Sequence, residues 1–194
     1  MQLLRMFSTG KYKGTRNYLK TQRKYEIIRT VLYFAISLSL FAAGYITTKT
    51  RLNLLTLVAV LGCLPACKST VGMIMFLRFK GCSDQNADLI EAHMEGLSSL
   101  YDMVFTSYDK NYNVAHITVK GNTICGFTEN KAFDEQKFYR HIGDVLKADD
   151  FRDTTVKIFK DVDKYTARLE QMKELSAEEH NTAGIINTLK SVAL

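Results

Sequence analysis

Hydrophobic and polar positions follow two different rhythms along this chain, and the change comes near Ser83. Before it, apolar residues run in long blocks. Thr30–Thr48 reads TVLYFAISLSLFAAGYITT, 19 residues without a charge. A helix of that length, rising about 1.5 Å per residue, covers roughly one hydrocarbon core. The basic region ahead of it is long and no small-x-small cleavage site follows, so the run reads as a retained transmembrane helix rather than a signal peptide. Leu52–Cys67 adds 16 uncharged residues, Lys68 interrupts, and Val71–Leu77 resumes. One helix bent at Pro65 accommodates the whole of 52–77. A short span followed by an interfacial amphipathic segment is the alternative. Only KTRLN separates the two runs, which makes them a hairpin, with helices expected at about 28–48 and 52–77.

After Ser83 the periods shorten. Leu89, Ile90, His93, Met94, Leu97 and Leu100 recur at helical spacing. YDMVFTSY then reads as a strand and DKNYN as a turn. VAHITVK and TICGFT flank Gly121-Asn122, a two-residue hairpin signal. FDEQKFYRHIGDVLK is a helix with Phe138, His141, Ile142, Val145 and Leu146 inward. TTVKIFK is a strand, and VDKYTARLEQMKEL a helix with Tyr165, Leu169 and Met172 inward. A short amphipathic end carries Ile185, Ile186, Leu189 and Val192. The expected fold is an α-helical transmembrane hairpin followed by a small α+β cytoplasmic domain of order α-β-β-β-α-β-α. Its parts are a basic juxtamembrane segment at 1–25, the hairpin at 26–80 and the α+β domain at 83–194.

Charge sharpens this division. Residues 1–82 carry 13 Lys and Arg against Glu26 alone, and residues 83–194 carry 13 against 19 Asp and Glu. The overall net charge of +6 therefore describes neither part. The basic part is also the hydrophobic part, so nucleic acid is not an expected partner. Arg5, Lys11, Lys13, Arg16, Lys20, Arg23 and Lys24 precede the first run, Lys49 and Arg51 lie between the runs, and Arg78 and Lys80 follow the second. This bias places both ends on the cytoplasmic side of the cell membrane. Lys11, Lys13, Arg16, Lys20, Arg23, Lys24, Arg78 and Lys80 are the expected contacts to anionic headgroups. Lys68 is the one charge expected within the membrane.

Candidate chemistry is sparse. Cys63, Cys67, Cys82 and Cys125 lack zinc spacing and fit a reducing compartment. There is no Walker loop, GxGxxG, GxSxG or HExxH. In the hairpin, His116 opposes Phe127 and Val119 opposes Ile124. Alternation places Ala115, Ile117, Val119, Ile124 and Gly126 on a core face. His116, Thr118, Lys120, Thr123, Cys125, Phe127 and Glu129 fall on a second, half-covered face. A Cys125/His116 dyad lacks an orienting acid, so a packed cysteine beside a partly exposed histidine is the simpler reading. His93 and His141 belong to apolar helix faces, and His180 to a polar loop.

The order α-β-β-β-α-β resembles the core of restriction-endonuclease-like nucleases, and HITVKGNTICGFTENK resembles the hairpin of the nuclease-related domain. That resemblance implies an acid on the second strand and Glu-x-Lys on the third, holding Mg²⁺ and positioning water. Glu129-Asn-Lys131, Asp109 and His116 are the residues it points to. The chain departs from the pattern in having Ala115 before His116, and Asp109 in a turn. Outside that alternative no cofactor or metal is expected.

The stretches RMFSTGKYKGTRNYL, KYEIIRTVLYFAIS, DMVFTSYDKNY, VKGNT and VKIFKD resemble a family of small bacterial two-helix membrane proteins. Some of its members carry the label O-linked GlcNAc transferase-like. This chain has neither 34-residue helical repeats nor a nucleotide-sugar motif to match that label. The resemblance brings no catalytic residues. Three readings follow: a membrane-anchored interaction or regulatory module with a protein partner or self-association, a membrane-tethered nuclease or degenerate nuclease, and a small transporter subunit using Lys68.

Overall fold

The computed structural model describes residues 10–50, 53–175 and 179–194. Arg5, Arg51 and Leu52 lie outside the described residues, as do the side chains of Lys11 and His180. The chain divides into two bodies. One is the helical hairpin Leu19–Phe79, and the other is an α+β body made of Lys80–Leu194 together with Gly10–Tyr18.

The hairpin has two helices, α1 (Tyr18–Thr48) and α2 (Leu54–Arg78). Each is long and apolar enough to cross a membrane. The helix α2 runs unbroken through Pro65, so one continuous helix replaces the short span with a separate interfacial segment. Asn53 starts it, its Oδ1 accepting from Thr56 N at 2.8 Å. Small residues let the two backbones approach. Ala59, Ala66 and Ser69 are buried on α2, and a Cβ on Gly62 would lie 2.8 Å from Ser37 Oγ.

The contacts pair Thr30 with Ser69 at 2.8 Å and Arg23 with the carbonyls of Phe76 and Phe79. Thus the first uncharged run begins level with the end of the second. The last turns of α2 lie beside the polar start of α1. Between them sits a polar cluster. Arg29 pairs with Glu26 and donates from Nε to Ser69 Oγ at 3.2 Å, while Gln22 donates to Glu26 at 3.2 Å. Burying Glu26 is tolerable because Arg29 and Gln22 both contact its carboxylate. Apolar residues on the outer faces, such as Leu38, Ile46, Leu54 and Leu64, are exposed.

The α+β body follows the expected order and adds a full helix at the end. Its elements are α3 (Asp84–Glu91), β1 (Ser98–Thr106), β2 (Asn111–Lys120), β3 (Thr123–Phe127), α4 (Glu135–Ala148), β4 (Thr155–Phe159), α5 (Val162–Lys173) and α6 (Glu179–Val192). The sheet order is β1-β2-β3-β4, with β1/β2 and β2/β3 antiparallel and β3/β4 parallel. Helices cover both faces. One cluster packs Ile117, Val119 and Ile124 against Phe138, Ile142 and Leu146 of α4 and Ile185 and Leu189 of α6. The other packs Ala115, Cys125 and Phe127 against Ala87 and Ile90 of α3 and Tyr165, Leu169 and Met172 of α5.

Four expectations are corrected. The helix expected from Asn86 to Leu100 stops at Glu91. A turn at Gly96, with φ of +73°, releases Ser98–Leu100 into β1, where Leu100 pairs with Ile117. The turn DKNYN is shorter than expected, since β2 already begins at Asn111. The second hairpin face is covered over His116, Thr118, Cys125 and Phe127, so His116 is buried, while Glu129 at its end stays exposed. Ala115 lies in the second cluster, away from Ile117, because the alternation slips in both strands at once. Tyr101 pairs with His116 and Met103 with Val114, while the position between them, Asp102 and Ala115, drops out of the ladder, and Asp102 has a φ of +56°. One left-handed residue in β1 and one unpaired residue in β2 shift the facing of both strands and preserve their register.

Both sheet edges are occupied. On β1, Tyr101 N donates to Gly14 O at 2.9 Å and Leu194 N donates to Val104 O at 2.8 Å. On β4, Ile158 N donates to Tyr139 Oη at 3.0 Å, and Lys157 adds an edge charge. At the centre, β3 needs a glycine: a Cβ on Gly126 would lie 2.6 Å from Ile158 Cδ1 and 3.2 Å from Val114 Cγ1. Replacing Gly126→Val is expected to overpack this cluster and destabilise the α+β body by about 1–3 kcal/mol. Chemical denaturation of the full chain in detergent, followed by tyrosine fluorescence, measures it. Unchanged stability would mean the sheet and α4 do not pack as described.

Candidate functional site

The polar side chains of the α+β body converge on its two entry segments. The first is Lys80–Ser83, which leads out of α2. Asn113 Nδ2 donates to Lys80 O at 2.8 Å. Cys82 N donates to Asp102 Oδ1 at 2.8 Å. Ser83 N and Asn86 Nδ2 donate to Glu129 Oε1 at 2.9 and 2.8 Å. Gly81 has to be glycine, since a Cβ there would lie 2.7 Å from Asp102 Oδ1. The Ser83 side chain makes no cap to α3, so Glu129 supplies the missing acceptor at that helix start.

The second entry segment is Gly10–Tyr18, which leads into α1. Arg16 pairs with Asp88 and Glu91 of α3, and the hydrogen bond to Asp88 foremost raises its pKa. Lys13 Nζ donates to Ala193 O at 2.6 Å and Lys190 O at 3.3 Å, closing the C-terminal end of α6. Partial burial lowers the Lys13 pKa. Gly14, with φ of +82°, lies flat against Leu100. Lys13 and Arg16, expected at headgroups, are engaged by the α+β body here, and Gly10–Tyr18, expected within the juxtamembrane segment 1–25, belongs to that body. Residues 10–18 are a strap on the α+β body. Arg23 holds the carbonyls ending α2, and Lys20, Lys24, Arg78 and Lys80 are exposed. Lys68 is exposed on α2, next to Ser69 and so level with Thr30.

His116 lies at the centre of a buried polar group. Its Nδ1 shares a 2.7 Å hydrogen bond with Tyr165 Oη, which also meets Thr118 Oγ1 at 2.9 Å and Cys125 O at 3.4 Å. Tyr101 packs edge-on against the imidazole, with ring centroids 4.3 Å apart. His116 Nε2 has no protein hydrogen-bond partner. Burial pushes the His116 pKa down to about 3 and Tyr101 up to about 12, and raises Tyr165 and Cys125. At neutral pH this group holds a neutral imidazole, two phenols and a thiol. Tyr165 contacts both His116 and the Cys125 backbone, where a nucleophile–base pair would need direct contact.

The four catalytic candidates are not brought together as the nuclease resemblance implies. Asp109 is exposed in the β1–β2 turn, Glu129 caps α3, Lys131 is exposed beyond β3, and His116 is in the core. The strands β2 and β3 carry no carboxylate. Among the described residues no three His, Cys, Asp or Glu side chains group as metal ligands would. A separate cleft of about 480 Å³ lies between the β1/β2 end and α6, lined by Ser98, Val119, Lys120, Thr182, Ile186 and Asn187. Its lysine is turned to a backbone carbonyl, Lys173 O, at 2.6 Å.

Sequence reasoning offered Asp102 only as an alternative to Asp109 beside Glu129 and Lys131, and missed both its contact with Cys82 N and the strap. Asp102 sits inside an apolar strand pattern, YDMVF, where a lone acid is itself the available signal. No family model, curated protein or solved structure matches this chain.

Two predictions follow from these contacts. The unfolded histidine binds a proton near pH 6.5 and the folded one only near 3. Stability from His116 is therefore complete above about pH 6.5 and is lost as pH falls from there toward 3. Across that window His116→Phe should flatten the pH dependence of unfolding by about 1.4 kcal/mol per pH unit. An unchanged slope would place the proton elsewhere. Asp102→Ala should cost about 2–4 kcal/mol, through an unsatisfied Cys82 N–H and an alanine in left-handed backbone. Asp102→Asn keeps both features and should cost less than half of that by the same denaturation assay.

Proposed function

We propose that this protein is a membrane-anchored cytoplasmic module that works by binding a protein partner or a second copy of itself, without chemistry of its own. The observation that carries this reading is the use made of the carboxylates. Asp102 and Glu129, the acids nearest the strands a nuclease would use, accept backbone hydrogens of the segment entering from α2. Acids in that role fix the chain where it enters the body, which supports a structural use for both.

Anchoring is supported by the hairpin. Its uncharged layer, from Thr30 to Thr48 on α1 and from Asn53 to Cys67 on α2, spans about 27 Å and about 21 Å respectively at about 1.5 Å per residue. In this arrangement Lys68 lies at the layer boundary, where its long side chain reaches headgroups, and the transporter reading loses its buried charge. The last turns of α2 run beside the polar start of α1, where Lys20, Lys24 and Arg78 are exposed, and Lys80, which follows α2 in the chain, is exposed as well. That excess of cations favours cytoplasmic ends and anionic lipid. The alternative of a degenerate nuclease keeps one specific support, the α-β-β-β-α-β order with β3 and β4 parallel.

A single variant separates the readings. Glu129→Gln retains the acceptor oxygen for Ser83 N and removes the charge. Reconstituted full-length protein carrying it should insert, fold and capture partners as the wild type does. Neither form should cut DNA or RNA with Mg²⁺ or Mn²⁺. Cleavage by the wild type that Glu129→Gln abolishes would replace the module reading with the nuclease.

A further inference from the structure

We propose that the strap Gly10–Tyr18 is an electrostatic latch, held on the α+β body by acids and released by an anionic membrane surface, and that its release uncovers the outer edge of β1. This inference rests on the membrane anchoring proposed above and adds to it a regulation.

The strap carries cations of the kind that headgroups attract, yet its described ones are engaged inside the protein. Arg16 bridges Asp88 and Glu91, whose side chains are 69% and 54% exposed. Exposed ion pairs of this type are weak and open readily. Lys13 is held by two carbonyls, Ala193 O and Lys190 O, with no acid among these partners. A bilayer rich in anionic lipid offers both side chains competing partners, and the strap runs directly into α1, the helix proposed to enter that bilayer. The competition is between the lipid anions and the groups that now hold these cations, two carboxylates for the Arg16 guanidinium and two carbonyls for the Lys13 ammonium.

What the latch covers is specific. Gly14 O accepts the N–H of Tyr101, an outward-facing group of the edge strand β1. Farther along the same edge, Val104 is covered separately by Leu194. Lys13 joins the two covers, because it binds the carbonyl of Ala193, the neighbour of Leu194. Releasing the strap therefore frees the Tyr101 N–H and loosens the C-terminal cover with it. An uncovered strand edge is a template for adding an extended segment of a partner. The device so links lipid composition to access at a binding edge.

The experiment is hydrogen–deuterium exchange at the Tyr101 amide of the full-length protein. It is read in vesicles of phosphatidylcholine alone and of phosphatidylcholine with phosphatidylglycerol, with insertion scored separately by resistance to alkaline extraction. Anionic lipid is expected to speed exchange at Tyr101 roughly tenfold, given two cations that each gain from the surface. Amides in the centre of β2 should not change. Asp88→Asn with Glu91→Gln should give fast exchange already in neutral vesicles. Arg16→Gln should weaken the dependence on lipid charge. Inserted protein whose Tyr101 exchange ignores lipid charge overturns the latch and leaves the anchor standing. Protein that fails to insert in either vesicle overturns both.

Discussion

The bond from Cys82 N to the Asp102 carboxylate is the contact on which the α+β body depends. It requires a carboxyl side chain buried inside an edge strand, at the residue where that strand turns left-handed. That turn slips the facing of β1, and the unpaired Ala115 slips β2 to match. Without the paired slip, either Leu100 and Ile117 or Met103 and Val114 would leave the α4/α6 side. The bulge is therefore what allows one sheet to fill two cores while also gripping the chain that enters it. Gly81 completes the arrangement, since a side chain there would displace the carboxylate.

A second regularity is that polar groups are placed where the backbone has loose ends. The strap and the C-terminus cover β1, and Tyr139 covers β4. Glu129 covers the start of α3, Lys13 the end of α6, and Arg23 the end of α2. Each satisfies a backbone group otherwise open at a helix end or strand edge, the strap and Leu194 with backbone atoms and the others with side chains. A small mixed sheet with two edges needs this, because an open edge invites pairing with other chains.

Much of this architecture was legible in the residues. The two uncharged runs, the Gly121-Asn122 hairpin with its register, and the inward faces of α4 and α5 follow from short-range periodicity. What was not legible depended on distant partners. The helix expected through Leu100 ends early because β2 offers Leu100 a strand partner, which no local window contains. Ala115 was misplaced because strict alternation has no means of anticipating a bulge caused by a contact twenty residues away. His116 was expected at a half-open face, and α3 and α5 close that face with residues far along the chain. Lys13 and Arg16 looked like headgroup contacts because their partners are distant: the Lys190 and Ala193 carbonyls for Lys13, and Asp88 and Glu91, more than seventy residues downstream, for Arg16.

The same long-range logic bears on how a charge in such a chain is read. A carboxylate near a strand end, or a lysine near a helix end, has two very different uses. It either meets something outside the protein or satisfies the protein's own backbone. Glu129 and Asp109 differ only modestly in sequence surroundings, yet one caps a helix and the other faces solvent. The distinguishing feature is the neighbouring backbone geometry: Glu129 follows a strand that ends opposite an uncapped helix start, and Asp109 occupies a turn between paired strands. A cation or anion becomes evidence of function only after the open backbone groups around it have been counted. In this chain Lys20, Lys24 and Arg78 are exposed on the hairpin and Lys80 is exposed just after it, and the anchoring proposal draws on that exposure.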